Sequence, residues 1–448
     1  MPHDPRTILI IRAYSPANIG DGAIALAMQT EARRVFGVDT RVVFGATDPD
    51  SFESLLGLEA NHHPIQWGRM GSMHRRLAWL VRTAPLLLRV WHATGGDRSR
   101  FERAVTSRRL STDAVEALAP YLEADLVLAC GGGYLGDEYR RQYPAIQLEY
   151  RAARAAGVPL VFFSQSFGPA EWPLSRFLLR RALRIASVFI ARDEPSARRV
   201  RGLGIPEEKL RVCPDVAVLT VPHVGVDPRP GLLGLALLGR GAYPGGDGAV
   251  HDAYTEAMFR VAKAHLERDP ANHVRLYSAS KAIGPNTMDD VSTAERMRER
   301  LWAAGYVDRC SCAEWTHDPE RFSTDIAACE LLVTSRAHAG VLALAQGVPV
   351  VGVASQEKVG GLLEHFGSGA WVLRIDEPEK LVEMVERAWA QRQDLRKTVR
   401  LALPGVLRDA GRAMEICAGA LQNDSSHRPG GGSGTLRASD GAGTSLRR

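Results

Sequence analysis

Only six of the 448 residues are cysteine, and they lie scattered at positions 130, 213, 310, 312, 329 and 417. So few and so dispersed thiols make no disulfide framework for a chain this long, and a reducing cytoplasm is the compartment expected. Long apolar runs are also missing: none reaches the roughly 18 uninterrupted residues that a membrane-spanning helix needs. The N-terminus lacks a signal-peptide layout, because Ile8–Ile11 is too short for a hydrophobic region and reads as a first strand. A large excess of one sign of charge is missing too. The formal net charge is +5, part of it in the C-terminal tail, so no nucleic-acid partner is expected.

Several catalytic signatures are absent. The glycine spacing of a dinucleotide fingerprint does not follow the first strand, and no Lys-Ser/Thr completes a Walker-type phosphate loop. There is no Gly-x-Ser-x-Gly elbow of a serine hydrolase. Cys310-Ser-Cys312 with His317 and Cys329 fits no usual zinc spacing, so neither a metal site nor a cofactor is expected.

What remains is an alternation of short apolar runs with amphipathic helical stretches, in a chain that is 45% hydrophobic and 24% charged. The pattern predicts strands at Thr7–Arg12, Arg41–Phe44, Asp125–Cys130, Leu160–Ser164 and Ala186–Ile190, with helices at Asp21–Phe36 and Glu194–Leu203. After the Pro/Gly-rich stretch 221–231 a second series follows. Its strands are expected at Leu232–Leu238, Val274–Ser278, Leu331–Thr334, Val348–Val353 and Trp371–Arg374, and one of its helices at Val341–Gln346. The fold class expected is therefore α/β, with two Rossmann-like doubly wound domains at 1–222 and 231–422 and a cleft between them. Residues 423–448 are Gly/Ser-rich, without apolar periodicity, and read as a disordered tail. Segment 69–110 holds ten arginines against Asp97 and Glu102, around an apolar stretch. It reads either as contact with a membrane surface or lipid-linked acceptor, or as a basic helical excursion packed on its own domain.

Five polar motifs punctuate the strand ends. Asn18-Ile-Gly-Asp-Gly22 opens a helix, where Asp21 can cap or begin it and exposed amides can meet an anion, although a plain turn explains the same residues. Cys130-Gly-Gly-Gly133 lets a ligand or a neighbouring backbone approach closely. Beyond it, Asp137 and Glu138 either orient sugar hydroxyls or form a solvated helix start. Arg192 either pairs with Asp193 or Glu194 or points into the cleft towards an anion. Asp215 is a turn residue or a polar wall of that cleft. In Ser335-Arg-Ala-His338, Arg336 offers a fixed planar charge suited to phosphate or carboxylate, and His338 can hold or deliver a proton.

Taken in order, Asn18-Ile-Gly-Asp21, Gly131–Gly133, Ser164-Gln-Ser-Phe-Gly-Pro169, Arg192–Ser196, Pro214-Asp215, Ser335–His338 and Gly347–Pro349 with Lys358 resemble the polysaccharide pyruvyl transferase family. The resemblance spans roughly residues 8–370 and implies a GT-B-like arrangement of the two domains. It implies transfer of pyruvate from phosphoenolpyruvate to two hydroxyls of a glycan sugar, in free polymer or lipid-linked form, as a ketal of cell-wall or exopolysaccharide chemistry. By the same resemblance His338 and Arg336 are catalytic, and Arg192 lines the phosphoenolpyruvate site. Asn18, Asp21, Gly131, Gly132, Gly133, Asp215 and, one position out of step, Arg240 complete the substrate-binding set. Ala337 stands where relatives usually carry a larger apolar residue. Two rivals are a nucleotide-sugar glycosyltransferase on the same scaffold and a non-catalytic scaffold held at the inner membrane face.

Overall fold

The computed structural model describes residues 6–62, 97–106, 112–221, 225–240, 248–284, 286–354 and 358–425. Most of the arginine-rich segment 69–110 lies outside these residues; of it, the helix Arg98–Thr106 is described, and it buries Phe101 and Val105. The tail beyond Ser425 also lies outside them.

The first half folds as β1 (Thr7–Ala13), β2 (Arg41–Ala46), β3 (Ala60–His62), β4 (Leu126–Ala129), β5 (Gly132–Leu135), β6 (Leu160–Phe167), β7 (Val188–Ala191) and β8 (Leu210–Val212). They form a parallel sheet in the order β3-β2-β1-β4-β6-β7-β8, with β5 beside β6. The second half supplies β9 (Leu232–Ala236), β10 (His273–Tyr277), β11 (Cys310–Cys312), β12 (Leu331–Thr334), β13 (Val350–Ala354) and β14 (Val372–Arg374), ordered β11-β10-β9-β12-β13-β14. Strands covered on both faces need continuous apolar side chains, which is why Leu331-Leu-Val-Thr334 is buried throughout.

In each sheet the strand order reverses beside the first strand, between β1 and β4 and between β9 and β12. Loops leaving the carboxyl ends there diverge and open a crevice. Asn18 and Gly131–Gly133 follow β1 and β4, and Arg336 and His338 follow β12. Topology alone thus brings these motifs to two facing crevices.

Two helices differ instructively from the sequence expectation. The helix after β12 spans Ala337–Ala345, starting four residues earlier than predicted, so His338 lies in its first turn. It is apolar on all sides, with Ala339–Ala345 buried, because it is packed between the two halves. The final helix, Arg392–Ser425, begins within the second unit expected at 231–422. Its later turns instead bury Ala410, Ala413, Met414 and Cys417 in the core that holds the helix Ile19–Phe36 of the first half. Arg34 reaches from that helix to the Gly411 carbonyl at 3.0 Å. The apolar spacing of this last helix was in the sequence, but periodicity names a buried face and not its recipient. Among the described residues no helix is long and apolar enough to cross a membrane.

Candidate active site

Arg192 leaves the end of β7 and is buried, with 1% of its surface exposed. A guanidinium so placed needs a counter-charge and directed acceptors. Neither Asp193 nor Glu194 supplies them. Nη1 donates to Asp215 Oδ2 at 2.8 Å and Nε to Ser166 Oγ at 2.5 Å. Asp193 instead caps the next helix, accepting from the Ser196 amide at 2.7 Å, and accepts a hydrogen bond from the Ser166 hydroxyl at 3.1 Å. Nη2 of Arg192 makes no hydrogen bond among the described residues, which leaves one edge of the fork for a ligand.

His338 reaches across from the second half. Its Nε2 stands 3.4 Å from both Asp215 Oδ2 and Arg192 Nη1. Burial by itself raises the Asp215 carboxyl, but the hydrogen bond and charge of His338, with Arg192 beside it, outweigh that and hold it well below the usual carboxylate range. Asp215 is both alternatives read from the sequence: it caps a short turn through the Ala217 amide at 3.0 Å, and it walls the cleft. The imidazole presses on the first turn of the helix Ile19–Phe36. A Cβ on Gly20 would fall 2.1 Å from His338 Nδ1, so only glycine admits the ring.

Arg336 turns the other way, into its own half. Nε and Nη2 form a fork with Asp290 at 2.8 and 2.5 Å, while among the described residues Nη1 meets only the Met288 sulfur at 3.7 Å. Asp290 is fully buried and also accepts from the Gly239 amide at 2.8 Å. A bidentate carboxylate fixes the plane of the guanidinium. Sequence reasoning missed Asp290. Its place before the helix Val291–Ala303 marks a helix start, but nothing local couples it to a residue 46 positions away.

The remaining expected residues divide. Asn18, not Asp21, caps the first helix, accepting from the Gly20 amide at 3.1 Å, and Asp21 sits in its first turn. The loop also bonds the second half, the Ile19 amide meeting the Ala279 carbonyl at 2.9 Å. Tyr139 belongs to this environment: burial first, then Glu138 and Asp21, push its phenol up, so it remains a proton donor. Gly131 packs under Ser164 and Ile24, Gly132 takes φ +149°, and Gly133 lines a cavity of about 440 Å³. The same cavity is lined by Asp137, Glu138, Ser166, Asp193 and, from the second half, Arg374 and Asp376. Its floor therefore shares Ser166 with the Arg192 cluster. Arg240 stands apart: it is exposed and pairs with Asp252 near the start of the next helix. Among the described residues no three His, Cys, Asp or Glu side chains are grouped to hold a metal ion.

The model of the polysaccharide pyruvyl transferase family matches residues 18–357, and the chain belongs to that family. No curated protein matches it. Among solved structures, the UDP-GlcNAc 2-epimerase from Neisseria meningitidis bound to UDP-GlcNAc is similar at a TM-score of 0.53 and 11% identity, over 93% of this chain and 100% of that one. The Anabaena protein HepE in complex with UDP and glucose is similar at 0.51 and 16% identity, over 94% and 100%. At such identities the likeness is one of fold. The chain has the GT-B fold, two Rossmann-like domains about a central cleft.

Proposed function

We propose that this family member transfers pyruvate from phosphoenolpyruvate to two hydroxyls of a glycan sugar, forming a ketal. The observation that carries the reading is the meeting of Arg192 and His338 across the cleft, 3.4 Å apart beside Asp215, with Arg336 two residues before His338 and held by the buried Asp290. Phosphoenolpyruvate carries a phosphate and a carboxylate, and two pre-oriented guanidinium edges match its two anionic ends. His338 is the general acid or a phosphate ligand. Protonation of the methylene carbon generates an oxocarbenium-like centre at the neighbouring carbon, which one sugar hydroxyl attacks. Phosphate leaves, and a second hydroxyl closes the ring. Of the two hydroxyl protons, one balances the new methyl group and the other leaves with phosphate.

The cavity of about 440 Å³ falls within the range of small-ligand sites, about 300–1,000 Å³, and its lining carboxylates suit a polyhydroxylated ring. We assign it to the acceptor sugar. A cytoplasmic setting accords with six free cysteines. The test is to incubate purified protein with phosphoenolpyruvate and a panel of glycan acceptors, following phosphate release and an acid-labile gain of mass. Phosphate release that depends on an acceptor is expected. Transfer of a glycosyl group from a nucleotide sugar instead would replace this reading with that of a glycosyltransferase.

A further inference from the structure

The helix Pro173–Leu183 carries an exposed apolar face that the chemistry above does not use. Among the described residues, the other large hydrophobics on the surface stand singly or, at Trp302 and Val307, as a pair, but here Trp172, Leu174 and Phe177 are 49%, 47% and 59% exposed within six positions. Leu174 and Phe177 follow the i, i+3 spacing of one helical face, while Ser175, Leu179, Ala182 and Leu183 are buried and Leu178 packs against the core. The cost of leaving such side chains in water marks an interaction site more often than an accident.

Arginines frame this face. Residues 171–184 hold Arg176, Arg180, Arg181 and Arg184 against Glu171 alone, and none of the four forms an ion pair among the described residues. Arg140 adds a guanidinium 6.0 Å from the centre of the Trp172 ring. On the neighbouring helix Tyr143–Ala155, Arg151 is close enough to Arg181 to be affected by its charge, and burial and that charge together lower its basicity. Apolar side chains with an interfacial tryptophan, ringed by cations, are the composition of a surface that lies on an anionic bilayer.

Position supports the same partner. Asp137, which lines the cavity, accepts from the Glu171 and Trp172 amides at 2.7 and 3.1 Å and so ties the start of the apolar face to the cavity wall. Pro169, three residues before Trp172, is itself a lining residue.

We propose that the face formed by Trp172, Leu174 and Phe177 with its flanking arginines docks on an anionic phospholipid surface. Docked so, the cavity opens beside the bilayer, where the head group of a lipid-linked saccharide can enter while its tail stays in the membrane. That consequence rests on the acceptor assignment above; the docking itself does not.

Flotation of the full chain with vesicles tests it. The wild type is expected to float with vesicles of phosphatidylglycerol and phosphatidylcholine in equal parts, to be released by salt, and to stay behind with phosphatidylcholine alone. Arg180→Glu with Arg181→Glu should weaken partitioning about tenfold or more. Trp172→Ser with Phe177→Ser should do the same by a separate route, with the melting temperature unchanged in both. Wild-type protein that ignores anionic vesicles, or variants that float as well as it does, would overturn the proposal. So would a dimer in sedimentation velocity that both variants dissolve, since a second copy would then cover the face. None of these readouts uses phosphoenolpyruvate, so docking and pyruvyl transfer stand or fall apart.

Discussion

Both sheets reverse their strand order beside their first strand, yet they end differently at the cleft. In the first, register slips between Ile11 and Ala13, between Gly132 and Leu135, and between Phe162 and Gln165. Two non-glycine residues at these breaks take left-handed backbone, Arg12 at φ 68° and Ser164 at φ 48°. In the second sheet every strand pair keeps an unbroken register. Each left-handed residue costs on the order of 1–3 kcal/mol and persists only where its surroundings fix it. Arg12 is fixed by its 2.5 Å contact with the buried Glu149. The irregular half thus shapes the glycine loops and the cavity, and the regular half presents Arg336 and His338 from a rigid edge. Shape and presentation are separable tasks here.

The strongest way to break that division is at the regular edge. His338→Ala should lower turnover about 10²–10⁴-fold with the fold intact, read as phosphate release beside an unchanged melting curve. Next in size is Asp290→Ala, which strands the Arg336 guanidinium in a buried site and should cost about 3–5 kcal/mol in denaturant unfolding. A smaller effect sits behind β9. His265 is buried against Trp389, with ring centroids 4.3 Å apart, and burial lowers its pKa to about 4. The unfolded chain takes up that proton first, so stability is full above about pH 6.5 and falls as pH drops towards 4, by about 3 kcal/mol in all. His265→Gln keeps a donor for the Gly231 carbonyl and should flatten this part of the pH profile. The smallest effect probes the irregular half. Ser164→Gly relieves left-handed strain and removes a buried hydroxyl without a partner, and should raise stability by about 1 kcal/mol.

Much of the scaffold was legible because parallel strands buried on both faces leave continuous apolar runs. Leu331–Thr334 has the limits its sequence suggests, and the glycine motifs fall at the ends of β1 and β4. Short edge strands such as Ala60–His62 and Leu210–Val212 were not legible, since three residues carry too little pattern. For the site, the sequence supplied residue types but not their partners. That Arg192 would choose Asp215 over the adjacent Asp193, and Arg336 the distant Asp290, depends on contacts 23 and 46 positions apart. Arg240 shows the converse: the resemblance placed it in the substrate-binding set one position out of step, and its side chain is exposed and paired with Asp252.

The central claim is that the open edges of Arg192 and Arg336 form one site for a small anion carrying both a phosphate and a carboxylate. Thermal unfolding with phosphoenolpyruvate tests it most directly, against UDP-glucose as the competing donor. Stabilisation grows as RT ln(1 + [L]/Kd), so phosphoenolpyruvate at a hundredfold excess over its Kd should add about 2.7 kcal/mol and raise the melting temperature. UDP-glucose should leave it unchanged, and Arg336→Ala should abolish the shift. A rise with UDP-glucose and none with phosphoenolpyruvate would contradict the account.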